Sequence, residues 1–165
     1  AIGWVREAVV ERRFPDTIFL RIEERDPLAL WQKNGRLFVI DNDGVVIKGA
    51  SPQNYALLPV IVGDDAPANA GLLLTVLASE PSLHQRVAAA VRVGGRRWNL
   101  RFDNGVDVEL PEQNFAAAWR RLAEFERIHQ LLARDITAID LRLPDRLVVR
   151  PAEAFSGWSA EGENT

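Results

Sequence analysis

Trp98, Leu100 and Phe102 alternate with Asn99, Arg101 and Asp103; the chain then reads Asn104-Gly105, and Val106 to Leu110 follows as a second short apolar run. Alternation at period two separates side chains onto the two faces of a strand, and Asn-Gly supplies the positive φ angles of a tight turn. The segment is therefore restricted to an antiparallel hairpin with one buried face. From Pro111 the period changes: Phe115, Ala118, Trp119, Leu122, Phe125, His129 and Leu132 recur every three or four residues. That spacing predicts a long helix whose apolar stripe lies on the sheet. Such a juxtaposition belongs to the α+β class, a mixed or antiparallel sheet carrying two main helices.

The flanking sequence extends this sheet. Residues 4–14 and 17–24 are β-rich runs around Pro15-Asp16 and read as a hairpin, with Ile18, Leu20 and Ile22 on one buried face. Asp26-Pro27 reads as a hinge. Ala29 to Gln32 and Leu37 to Asp41 read as strands around Lys33-Asn34-Gly35, with further strands at Val45 to Ile47 and Val60 to Val62, and a loop from Gly49 to Leu58 between them. Asp64 or Asp65 is expected to cap a helix with Pro67 in its first turn, in which Leu73, Val76 and Leu77 share a face before Pro81 stops it. Val87 to Val93 reads as a strand. After the long helix, Ile139, Leu141 and Leu143 alternate with Asp140 and Arg142, Pro144-Asp145 turns the chain, and Leu147 to Val149 forms a last strand. The Ser/Gly/Glu-rich run from Ala152 to Thr165 reads as a flexible tail. The expected divisions are thus 1–26, 27–151 and 152–165.

Function is narrowed first by exclusion. The chain has no cysteine, so disulfides, zinc-thiolate sites and thiol nucleophiles are absent together. A net charge of −3, with acids and bases interleaved, argues against nucleic acid as a main partner. The longest apolar-rich stretch, Ala70 to Ala78, falls far short of the ~18 residues that read as a membrane span. Asp41-Asn42-Asp43-Gly44 resembles the start of a calcium loop, but Val45, Val46 and Ile47 follow where ligands are needed, so it reads as a polar turn. His129 falls on an apolar helical stripe and reads as structural; His84 is the other histidine. No nucleophile motif, phosphate loop or cofactor signature appears, and the chain reads as no enzyme with no cofactor.

What remains is surface for holding another protein. A terminal strand leaves one row of N–H and C=O groups open, and an extended partner segment can pair there. Residues 139–150 are the candidate edge. Arg142, Arg146 and Arg150, with Arg96 and Arg97 on an earlier strand, are placed to steer an acidic partner. The competing reading is that these arginines only protect an edge from aggregation.

Several landmarks occur together and in order: Arg13-Phe14-Pro15-Asp16-Thr17, Glu24-Arg25-Asp26-Pro27-Leu28-Ala29, Asp41 to Gly44, Leu58-Pro59, Arg96-Arg97-Trp98-Asn99-Leu100, Gly105 to Pro111, and Ile139-Asp140-Leu141-Arg142. This ordered set resembles the FtsQ/DivIB family of bacterial cell-division proteins. The resemblance implies a periplasmic β domain preceded by the closing hairpin of a POTRA domain, in a protein held in the inner membrane by one transmembrane helix not included here. It implies a noncatalytic divisome scaffold, enriched at the septum, that binds FtsB in complex with FtsL through its last strands. On that basis the partner-binding residues are Arg96, Arg97, Asp140, Arg142, Leu143, Arg146, Leu147 and Val149. The sequence departs from the family pattern at Leu143, where a family member carries an aromatic residue, and after Pro144. The alternative function is a POTRA-containing component of polypeptide translocation or outer-membrane assembly, which the N-terminal hairpin alone would also fit.

Overall fold

The computed structural model describes residues 3–152. The expected tail, with Trp158, lies outside the described residues apart from Ala152. The first hairpin pairs β1 (Val5–Arg13) with β2 (Thr17–Glu24) in a two-stranded antiparallel sheet of its own. All other strands form one eight-stranded mixed sheet: β3 (Pro27–Lys33), β4 (Arg36–Asp41), β5 (Val60–Val62), β6 (Val87–Val93), β7 (Arg97–Phe102), β8 (Asp107–Glu109), β9 (Ile136–Asp140) and β10 (Val148–Pro151). Their spatial order is β10-β9-β8-β7-β6-β5-β3-β4, so neighbours in the chain are mostly neighbours in the sheet. The parallel contacts are β3 with β5, β5 with β6, and β8 with β9.

The hairpin 98–110 sets the register. Leu100 stands opposite Ala90 on β6 and Val108 on β8, and the same row continues through Ile61 and Ile139. All five side chains are fully buried. They meet α1 (Ala66–Leu77) and α3 (Phe115–His129), whose Leu73, Leu77, Ala118, Trp119 and Leu122 join the same cluster. Trp119 is the largest fully buried side chain; its indole N–H donates to the Leu77 carbonyl at 3.2 Å, and its ring lies 6.3 Å from Phe102. The helix–helix contact thus satisfies the polar edge of the indole. On the opposite face, the β3–β4 end is covered by Ile47, Tyr55 and Leu58, with Trp4 against Tyr55.

Several expectations are corrected. The face formed by Ile18, Leu20 and Ile22 is not buried: these residues are 70, 56 and 51% exposed, because β1 and β2 pair only with each other. Val45 to Ile47 is not a strand but a return segment making a single bridge, Val46 to Ile40. Asp65 precedes α1 without capping it, since its carboxylate instead accepts from Arg92 Nε at 3.1 Å. Pro81 does not stop α1, which has already ended at Leu77; it opens a one-turn helix, α2 (Pro81–His84), where its missing N–H carries no cost. The long helix starts at Phe115 and not at Pro111, after Asn114 takes left-handed φ, and left-handed Gln130 ends it before Leu132. His129 is exposed, with its ring 5.6 Å from that of Phe125. The strand expected at 139–143 is shifted to Ile136–Asp140.

Candidate partner-docking edge

Only the sheet's first and last strands have an outer side, and they end differently. At β4, the Ile47 N–H donates to the Val39 carbonyl at 2.9 Å and the Asp41 N–H to the Val45 carbonyl at 3.0 Å. The chain seals that margin over its second half. At β10, Val148, Val149 and Arg150 pair with Asp140, Ile139 and Ala138 of β9 on one side and with no strand on the other, among the described residues. The expected edge of 139–150 is therefore narrowed. β9 is interior, held by β8 and β10, and the open row belongs to β10 alone. Pro151 has no N–H to offer and marks where strand addition runs out.

The segment feeding β10 is held from behind. Arg121 on α3 donates through Nη2 to the carbonyls of Leu141 at 3.2 Å and Leu143 at 2.9 Å, and through Nη1 to that of Pro144. A planar guanidinium with its donors in a fixed fork fits a turn whose carbonyls converge. The turn also starts locally. Asp140 Oδ1 accepts from the Arg142 backbone N–H at 2.9 Å, which diverts the chain from the β9 ladder and explains why the alternation through Leu143 does not continue as strand. Beside it lies a cavity of about 560 Å³ lined by Pro111, Ala117, Arg121, Leu141, Arg142 and Pro144.

The eight residues expected to bind a partner fall into distinct environments. Leu147 and Val149 turn inward, Leu147 packing against the main core and Val149 standing in register with Ile139. Leu143 and Val148 are the exposed apolar side chains here, at 45 and 48%. Arg142 bonds Asp140 through Nε and Nη2 at 2.9 and 2.6 Å and lies 3.2 Å from Glu109. Hydrogen bonding from Arg142 outweighs burial and holds the Asp140 carboxyl below its ordinary value; the same contact raises the Arg142 guanidinium. Arg146 is exposed and paired with Asp145 at 3.4 Å, and Arg96 lies 3.9 Å from Glu112. Arg97 is half-buried on β7, and its Nε is buried without a hydrogen-bond partner among the described residues, as is the Oδ1 of Asn99 two residues on. The structure thus brings Asp140, Arg142 and Leu143 to the start of the edge. Most of the cations already face an acid of this chain, so main-chain groups, more than free charge, are what the edge has to offer.

No described helix is long and apolar enough to cross a membrane, and no group of three or more His, Cys, Asp or Glu side chains among the described residues could hold a metal.

Known proteins resemble this chain over most of its length. Residues 29–142 match the family described as "Cell division protein FtsQ/DivIB, C-terminal". The chain belongs to the FtsQ/DivIB family. The match runs from Ala29 in β3 through β9 and stops at Arg142, so Leu143, Pro144 and β10 lie beyond it. Cell division protein FtsQ of Caulobacter vibrioides is 42% identical over 153 residues, 93% of this chain and 51% of that protein. FtsQ of Bradyrhizobium diazoefficiens is 41% identical over 150 residues, 91% of this chain and 44% of its own length, and FtsQ of Rhizobium radiobacter is 38% identical over 152 residues, 92 and 72%. The chain spans about half the length of the first two of these relatives. The solved major extracytoplasmic domain of DivIB from Geobacillus stearothermophilus aligns with a TM-score of 0.43 and 18% identity, over 66% of this chain and 96% of that one.

Within this FtsQ/DivIB chain, sequence reading passed over Arg121, Glu109 and Asn114. Arg121 stands beside Leu122 of the apolar stripe and three residues from Ala118, a border position from which a long cationic side chain lays its stem on the sheet and carries its head past it. That placement was the available signal.

Proposed function

We propose that this domain is a noncatalytic scaffold of the bacterial divisome, which docks an extended partner segment along the outer edge of β10. The observation that carries the reading is the difference between the two margins: the second half of β4 is closed by its own return segment, whereas Val148 to Arg150 keeps, among the described residues, an unpaired side. Family membership supplies the process, and the resemblance supplies the partner, the periplasmic part of FtsB in complex with FtsL. On the same reading, residues 1–26 are the closing hairpin of a POTRA domain, 27–151 the β domain, and 152–165 a tail. The full protein would sit in the inner membrane with this region in the periplasm, enriched at the septum.

In this docking mode the partner's main chain makes most of the bonds, Leu143 and Val148 provide apolar contact, and Arg96, Arg97, Arg142 and Arg146 set register. Antiparallel pairing points alternate N–H groups outward, so adjacent prolines in β10 have different effects. Val148→Pro and Val149→Pro, made one at a time, should include one variant that keeps its pairing with β9 and loses capture of an FtsB–FtsL periplasmic complex. Calorimetric titration reads the loss. Equal affinity in both variants with the sheet folded would refute strand addition.

A further inference from the structure

Asp41 is the one buried charged residue among the described residues, 2% exposed at the end of β4. Its carboxylate is fully engaged. Oδ1 accepts from the Val45 N–H at 2.8 Å and the Asp43 N–H at 3.0 Å, and Oδ2 takes the guanidinium of Arg25. Arg25 sits in the link between the first hairpin and the eight-stranded sheet, at the Asp26-Pro27 step that the sequence suggests as a hinge. Its own backbone N–H donates to the Trp4 carbonyl at the foot of β1, at 2.9 Å. A second cation repeats the arrangement: Arg6 of β1 reaches Glu23 on β2 at 3.1 Å and Asp43 at 3.0 Å.

The turn that receives these contacts is itself seated on a helix. Gly44 has φ +76°, and a Cβ there would run into the Pro67 carbonyl in the first turn of α1. One turn further along, a Cβ on Gly71 would lie 2.9 Å from the Asn42 carbonyl. The turn therefore touches the hairpin on one side and the helix backbone on the other, with no room between.

From this geometry we infer that the Asp41–Gly44 turn is a latch making the first hairpin and the eight-stranded sheet one rigid body, with Asp41 and Arg25 as its positioning residues. The outer parts of the hairpin make no packing of their own against the sheet, since Val10, Ile18 and Leu20 are all more than half exposed. The hairpin's direction therefore depends on its foot. Without the latch, the two residues between β2 and β3 are a short swivel; with it, the hairpin tip is held at a set distance from α1. The inference rests on this geometry and stands whether or not β10 binds a partner.

The absence of native cysteine permits a direct test on the whole 165-residue chain. Spin labels at Asp16→Cys, on the hairpin tip, and Thr75→Cys, on the exposed side of α1, report the distance distribution by electron–electron double resonance. A second pair, Thr75→Cys with Arg101→Cys, reports the β domain alone. The expected result is a narrow tip-to-helix distribution that about doubles in width in Asp41→Asn and in Arg25→Met, while the second pair is unchanged and Arg25→Lys restores part of the order. A wild-type distribution as broad as those of the variants, or variants as narrow as wild type, overturns the latch. If Asp41→Asn disturbs the second pair, Arg6→Ala decides: it leaves the buried carboxylate intact and should still broaden the tip-to-helix distance, and no broadening there counts against the inference.

Discussion

The Arg121 guanidinium on α3 donates to the Leu143 carbonyl at 2.9 Å, so a helix on the core face of the sheet holds the turn that launches its last strand. The contact runs from side chain to backbone. It constrains where the chain goes without specifying which side chains the turn carries.

Arg121→Met, which keeps the stem and removes the fork, should leave three carbonyls without their donor. A cost of about 1–3 kcal/mol is expected, as for loss of charge-assisted hydrogen bonds. Amide hydrogen exchange should quicken over 141–151 while β6 and β7 stay protected, and Arg121→Lys should rescue only in part.

Asp41→Ala should be the more damaging change, because it leaves Arg25 with an uncompensated, largely buried charge and two backbone N–H groups without an acceptor. Breaking a buried pair from one side costs about 3–5 kcal/mol. Urea denaturation would read this as a lower midpoint with an unchanged slope.

The pH dependence follows from the same group. Burial alone would raise the Asp41 carboxyl, but hydrogen bonds from Arg25, Val45 and Asp43 outweigh it and bring it below its ordinary 3.8. A folded-state value below the unfolded one stabilises the protein fully above the unfolded value, and that stability is lost as pH falls through the folded value. Stability should therefore be flat in this respect near neutrality and decline below about pH 4. Asp41→Asn should be less stable at neutral pH and show a shallower decline in acid; equal slopes would contradict the assignment.

Arg142→Ala tests the charge cluster. Arg142 is exposed and its ion pairs are solvated, so little change in stability is expected. The informative readout is Asp140. Carbon-detected NMR titration should show its carboxyl rising toward the ordinary range once the Arg142 hydrogen bonds are gone.

Trp119→Ala should cost about 3–5 kcal/mol, since it empties the largest buried site and removes the indole N–H from the Leu77 carbonyl, which keeps only the Glu80 N–H. Trp119→Phe should cost less. Thermal melts followed by far-ultraviolet circular dichroism separate the two.

Local patterns made part of this legible. The alternation of Trp98, Leu100 and Phe102 across Asn104-Gly105 predicts the central hairpin, and the stripe through Ala118, Trp119 and Leu122 predicts the helix on it, because neighbouring residues set both signals. The last strand is readable as a strand from its apolar run. The failures are non-local. Asp41 reads as part of a polar turn, but its carboxylate is engaged by Arg25, in the link before β3, and the turn's Gly44 sits against the backbone at Pro67. Ile139, Leu141 and Leu143 keep perfect alternation, yet Asp140 and Arg121 redirect the backbone midway. Period two predicts which way side chains point and is silent on where a ladder is interrupted. For the docking residues, Leu147 and Val149 are expected to bind a partner, but an edge strand still has one face on the core, and theirs is that face.

The strand order β5-β6-β7-β8-β9-β10 has a consequence for biogenesis. Each strand is laid against the one synthesised just before it, so assembly can advance from one side as the chain emerges, and the final ladder position is filled last. Until Val148 to Pro151 arrives, Ile136 to Asp140 is the growing front, with its bonding groups bare. A chain ending before Val148 would therefore present Ile136 to Asp140 as its bare margin.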